Sequence, residues 1–170
     1  MDISFATNSG LLAAAVLCAA AITPASAAES PAAKADALSV IHSRKSVRHF
    51  TGEPVDREAL ETIVKAGMAA PTAVNKQPWA FVVVTDKAQL EALAAGLPYA
   101  KMLDKAGAAI VVCALPGKAF QQKAEFAILD AACASENILL AVEALGLGGV
   151  WTAAYPEAER MDHVRSVLGI

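Results

Sequence analysis

Five consecutive residues, Arg44-Lys45-Ser46-Val47-Arg48, carry three cations and a hydroxyl, and His49 and Phe50 follow at once. Guanidinium and ammonium groups neutralise oxyanions, and arginine does so through paired N–H donors, so the cluster can act as a compact receptor for a phosphate dianion. Basic residues at the C-terminus of a helix also complement its dipole and cap its last carbonyls. Read alone, the cluster leaves both uses open.

A second segment, Ala70-Pro71-Thr72-Ala73-Val74-Asn75-Lys76-Gln77-Pro78-Trp79, places two primary amides between two prolines. Each amide both donates and accepts, which suits the mixed edge of a heterocycle such as a flavin pyrimidine ring, and the prolines stiffen the loop. A plain helix-to-strand connection would use Pro and Asn as well. The third segment, Gly146-Leu147-Gly148-Gly149-Val150-Trp151, begins like a dinucleotide fingerprint. It fails that pattern, because Trp151 stands at the third glycine position and the run follows a helix. There is no G-x-S-x-G elbow, no phosphate loop with its lysine, no H-E-x-x-H and no zinc-ligand spacing among Cys113, Cys133, His42, His49 and His163. No side-chain nucleophile or general base suggests itself.

The elements that must position these segments can be read from caps and periodicity. Asp36 caps a short helix carrying Leu38, Val40 and Ile41, which runs into the basic cluster. Asp56 caps a second, in which Leu60, Ile63, Val64, Gly67 and Met68 follow the spacing of a core-facing stripe before Pro71. Trp79 to Thr85 and Ala108 to Leu115 read as two buried strands. Between them lie a helix from Asp86 through Leu97 and a short one over Tyr99 to Ala106. Phe120 to Leu145 predicts a 26-residue helix, apolar on more than one face. A helix so long, buried all round, is expected to pack in part against a second copy of the chain. Gly146 ends it, Gly148 to Thr152 is a short strand, and Pro156 opens a last helix to Leu168. Helices and strands do not alternate as regular βαβ units, so the fold class is α+β.

The chain has 170 residues, and residues 1–27 contain a single charge, Asp2. The apolar run Leu11–Ile22, then Pro24 and Ala25-Ser26-Ala27, predicts a cleaved export signal over 1–27, a linker over 28–34 and one domain over 35–170. The run is too short to span a bilayer, so no stable membrane insertion is expected after cleavage, and the product would be periplasmic or secreted. The rest of the chain holds 14 basic and 16 acidic residues with interspersed signs, which argues against a nucleic-acid partner. Cys113 and Cys133 both read as buried thiols.

In order, the runs S-R-K-S-V-R-H-F, A-G-x-x-A-P-T-x-x-N-x-Q-P-W-x-F and S-E-N-I-L-L-A-V-E-A-L-G-L-G-G-V-W resemble the nitroreductase family of FMN-dependent oxidoreductases. The resemblance covers about residues 37–170. It implies a three-layer α+β fold: a mixed, mainly antiparallel sheet flanked by helices, with a long central helix at the interface of a homodimer. FMN would bind where the subunits meet. By motif position, Arg44 and Ser46 would hold its phosphate with Lys45 as neighbour, and Arg48 would lie near the N1 and O2 edge of the ring. Pro71, Thr72, Asn75 and Gln77 would reach the flavin of the partner subunit. Ala153 and Ala154 would face N5 through backbone N–H, and Lys101, in a K-M-L run similar to the family's, would back the reduced ring. The implied activity passes hydride from NADH or NADPH through FMN to a small electron-poor acceptor such as a nitroaromatic or quinone. A nonenzymatic flavin-binding protein and an exported small-ligand binding module are the alternatives. Relatives usually continue past the position of Ile170 into another strand and a C-terminal arm, so the sheet is expected to lack a strand.

Overall fold

Three aspartates start three helices, each accepting a backbone N–H three residues ahead: Asp36 from Ser39, Asp56 from Ala59 and Asp86 from Gln89. The helices are α1 (Ala37–Ser43), α2 (Arg57–Met68) and α3 (Lys87–Gly96). These features belong to a computed structural model that describes residues 16–21 and 36–170. The remaining elements are β1 (Val16–Ala21), β2 (Trp79–Val84), β3 (Ala108–Ala114), α4 (Ala124–Ala144), β4 (Gly148–Ala153) and α5 (Ala158–Leu168).

The strands form one sheet in the order β2-β3-β1-β4, and every neighbouring pair is antiparallel. Alternation along β3 divides the core in two. Ile110 and Val112 pack with Leu60, Ile63, Ile138 and Val142 of α2 and α4, whereas Val111 and Cys113 pack with Leu90, Leu93 and Val164 of α3 and α5. The result is three layers, two helices on each face, as the α+β expectation required. Gly67 lets α2 approach α4: a Cβ there would stand 2.9 Å from Ile138 Cγ1 and 3.2 Å from Phe81 Cε1.

Three expectations change. β3 is buried along its whole length, but β2 is half-buried except at Val84, because an edge strand has only one neighbour to cover it. The long helix starts at Ala124, not Phe120, and has 21 residues, roughly 31 Å at 1.5 Å each. Gln121 and Gln122, both at φ 54°, together with an extended Lys123, separate it from a short 3₁₀ turn at Phe120–Gln122. Leu129 of this helix is 62% exposed in the single chain. The last helix begins at Ala158, with Glu157 as its cap residue, and not at Pro156.

The apolar N-terminal run supplies β1. Val16 to Ala20 pair with Val112 to Ala108, and Val16 to Ala21 pair with Ala153 to Gly148. The sheet, expected to lack a strand, thus has the place between β3 and β4 filled by a segment read from sequence as part of an export signal. The rest of that expected signal and the 28–34 linker lie outside the described residues. Among the described residues, no helix is long and apolar enough to cross a membrane.

Candidate functional site

α1 ends where the basic cluster begins. Arg44 is its C-cap, donating its N–H to Val40 O at 3.0 Å and then turning the chain to an extended path. The Arg44 guanidinium meets Glu136 of α4, with Nε 3.4 Å from Oε1. A half-exposed pair of this kind contributes on the order of 0–1 kcal/mol, so it orients the side chain more than it stabilises the fold. Ser46 forms an isolated parallel bridge to Gly149 of β4, and the Val47 N–H donates to Gly149 O at 2.9 Å. Lys45, Ser46 and Arg48 are exposed. Among the described residues, neither the Lys45 nor the Arg48 charge has an ion-pair partner.

The helix-to-strand turn that delivers Gly149 is a Schellman closure. Gly146, at φ +72°, donates to Glu143 O at 2.9 Å, and Leu147 donates to Val142 O at 2.9 Å. This glycine-rich run therefore ends a helix and starts a strand, as its failure of the dinucleotide pattern implied.

The loop after α2 folds on itself. Thr72 Oγ1 accepts the Gln77 N–H at 3.0 Å, Asn75 N donates to Thr72 O at 3.1 Å, and Lys76 N donates to Ala73 O at 3.2 Å. Three non-glycine residues adopt left-handed backbone: Val74 (φ 47°), Asn75 (φ 55°) and Gln77 (φ 49°). Pro71, Asn75 and Gln77 are exposed and Thr72 is half-buried; the Asn75 and Gln77 amides have no side-chain hydrogen bond among the described residues.

α4 ties these pieces together. Asp130 Oδ1 accepts the Ala73 N–H at 3.1 Å, Asn137 Nδ2 donates to Ala66 O of α2 at 3.0 Å, and Glu136 holds Arg44. From Asp130 to Glu136 is six residues, roughly 9 Å of helix, so the loop and the basic cluster are anchored close together along one rod. None of these three side chains is singled out by sequence reasoning. An acid in an otherwise apolar stretch of α4 is the signal that could have found Asp130.

Ala153 is exposed at the end of β4, while Ala154 is buried in the core shared with α3 and α5. Beside Ala153 lies a shallow cleft lined by Leu97, Tyr99, Thr152 and Arg160, with the Arg160 guanidinium 5.4 Å from the Tyr99 ring centroid. Lys101 Nζ donates to Ala94 O at 2.9 Å and Ala95 O at 3.0 Å, capping the last turn of α3.

Cys113 is buried and free, and Cys133, also free, is exposed, which corrects the expectation of two buried thiols. Burial pushes the Cys113 thiol up to about 11, against a smaller opposing pull from Arg165. Iodoacetamide at pH 8 should therefore spare the Cys113 peptide in folded protein and label it once the chain is unfolded, as peptide mass mapping would read. The unfolded chain loses the Cys113 proton first as pH rises, so this thiol's contribution is intact below about 9 and falls away as pH rises to about 11.

The family model described as Nitroreductase family matches residues 41–97 and 89–170. A protein of Archaeoglobus fulgidus with the provisional name NADH dehydrogenase/NAD(P)H nitroreductase is 42% identical over 135 residues, 79% of this chain and 77% of that one. A crystal structure from Bacteroides thetaiotaomicron under the same provisional name is 46% identical with a TM-score of 0.73, covering 79% of this chain and 77% of the other. An FMN-dependent nitroreductase from Clostridium difficile superposes with a TM-score of 0.70 at 27% identity, covering 78% of each chain. Motif order, three-layer fold and these relatives agree: the chain belongs to the nitroreductase family.

Proposed function

We propose that this protein takes electrons from NADH or NADPH and delivers them to a small electron-poor acceptor such as a nitroaromatic or quinone. Enzyme class and cofactor follow from the family: the chain is an FMN-dependent NAD(P)H oxidoreductase. When bound, FMN would supply the redox chemistry between donor and acceptor, so no side-chain nucleophile is needed.

The residues present fit that group. A phosphate and a reduced ring edge each need an unspent cation, and Lys45 and Arg48 carry charges with no ion-pair partner among the described residues. A pyrimidine edge needs paired donors and acceptors, which the exposed Asn75 and Gln77 amides offer on a loop already closed by its own hydrogen bonds. Arg44, Lys45 and Ser46 would hold the phosphate, and Arg48 would stabilise negative charge at the N1 and O2 edge. Pro71, Thr72, Asn75 and Gln77 would reach the ring bound by a second copy. Ala153 and Ala154 would offer backbone N–H toward N5. Lys101 would serve behind the ring through the α3 turn it caps.

The reading includes a homodimer. What supports it is the uncovered side of α4, where Leu129 is 62% exposed and Cys133 and Glu136 follow at four and seven residues. The observation that carries the whole reading is the anchoring of basic cluster and amide loop on one helix, with the Lys45 and Arg48 charges and the Asn75 and Gln77 amides unspent among the described residues. Purified protein supplied with FMN should oxidise NADH or NADPH only when a nitroaromatic or quinone is present to be reduced. Flavin that binds but never turns over with any such acceptor would contradict the proposal.

A further inference from the structure

Asp130 is a carboxylate only 6% exposed, set among Ala127, Ala131 and Ala134 on the buried side of α4. Burying such a group costs several kcal/mol in typical cases, so its one contact needs a reason. Oδ1 accepts the Ala73 N–H at 3.1 Å across 57 residues of sequence, and Oδ2 has no partner among the described residues. Ala73 is the first residue of the 3₁₀ turn Ala73–Asn75, and the turn's own cap residue, Thr72, makes no cap hydrogen bond to it. The Thr72 hydroxyl is engaged instead with the Gln77 N–H. A left-handed residue other than glycine costs on the order of 1 kcal/mol, and Val74, Asn75 and Gln77 stand in sequence on this one loop. Such a backbone persists only where surrounding contacts over-determine it.

We propose that Asp130 is a positioning residue: from the core of α4 it fixes the 72–77 turn and so presets the Asn75 and Gln77 amides for the flavin ring. The inference rests on the FMN reading above. Asp130 touches neither ring nor substrate; it acts through the Ala73 N–H. Its role needs an acceptor at Oδ1 and not a charge, so Asp130→Asn preserves the function and Asp130→Leu removes it. Ala73→Pro deletes the donor from the other side. Proline is tolerated at the first position of such a turn, and Thr72, at φ −137° and ψ 156°, already has the backbone a residue before proline requires.

The test uses the full chain and compares Asp130→Asn, Asp130→Leu, Ala73→Pro and the Asp130→Leu/Ala73→Pro double variant. Two readouts are taken: FMN affinity by fluorescence quenching, and amide hydrogen exchange across residues 72–77 without flavin. The expected result is Asn within about twofold of the parent, each single disruption about tenfold weaker for FMN, and a double variant no weaker than either single one. Exchange in the turn should quicken in the Leu variant and not in the Asn variant. Should Asp130→Leu fail to fold, Ala73→Pro against Asp130→Asn still decides. Unchanged FMN affinity in Asp130→Leu or Ala73→Pro, or an Asn variant as impaired as Leu, overturns the proposal. The exchange readout needs no flavin, so it separates failure of this contact from failure of the FMN assignment.

Discussion

A chain beginning at Ala28 should lose cooperative folding. β1 lies inside the sheet, matched at five positions to β3 and at six to β4. Its removal bares the backbone edge of β3, the strand buried along its whole length, together with that of β4. A buried backbone group left without a partner costs about 1–3 kcal/mol, while a domain is stable by only about 5–15 kcal/mol, so a few such groups exceed the reserve. Thermal melts followed by circular dichroism should show a single sharp transition for the 170-residue chain and a broad, early one for the shortened chain. Ala19→Pro, which deletes one ladder donor in the same strand, should lower stability by about 1–3 kcal/mol. Melting within a few degrees of the full chain after removal of residues 1–27 would refute the role given to β1. Cleavage of the export signal expected over 1–27 would generate that same shortened chain. Intact mass of folded protein recovered from outside the cytoplasm therefore chooses between the two uses of this segment.

Arg48→Ala should weaken FMN binding by about 10- to 100-fold, the loss expected when a hydrogen bond to a charged group disappears. It should also lower the flavin potential. Reduction places negative charge at the N1 and O2 edge, a fixed cation there stabilises the reduced form more than the oxidised one, and its loss reverses that preference. A tenfold change in the two-electron equilibrium corresponds to about 30 mV, which spectroelectrochemical titration resolves. Arg48 suits this role better than Arg44, whose guanidinium already has Glu136 at 3.4 Å. A potential that stays where it was would remove Arg48 from the ring edge.

Local signals were legible and long-range ones were not. Asp36, Asp56 and Asp86 announced their helices because a cap is a contact over three residues. β3 declared itself through an unbroken apolar run, and the Gly146 turn through a left-handed glycine after a helix. Edge position is set by strand order, so β2 looked as buried as β3. Nothing in Gln121-Gln122 advertises left-handed backbone, and the long helix was accordingly read four residues too far upstream. Val16 to Ala21 has a composition that serves a leader or an interior strand equally well; only its partners distinguish them. In the candidate site the proposed recognition groups stand out by type and spacing. Their anchors, Asp130, Glu136 and Asn137, do not, because each acts on an element far away in sequence.

Two chains are proposed to complete each flavin-binding slot. Sedimentation of the purified protein with absorbance read at the flavin band tests this most directly. A dimer carrying about one FMN per chain is the predicted result. Well-folded monomer that sediments without colour at saturating FMN would contradict it.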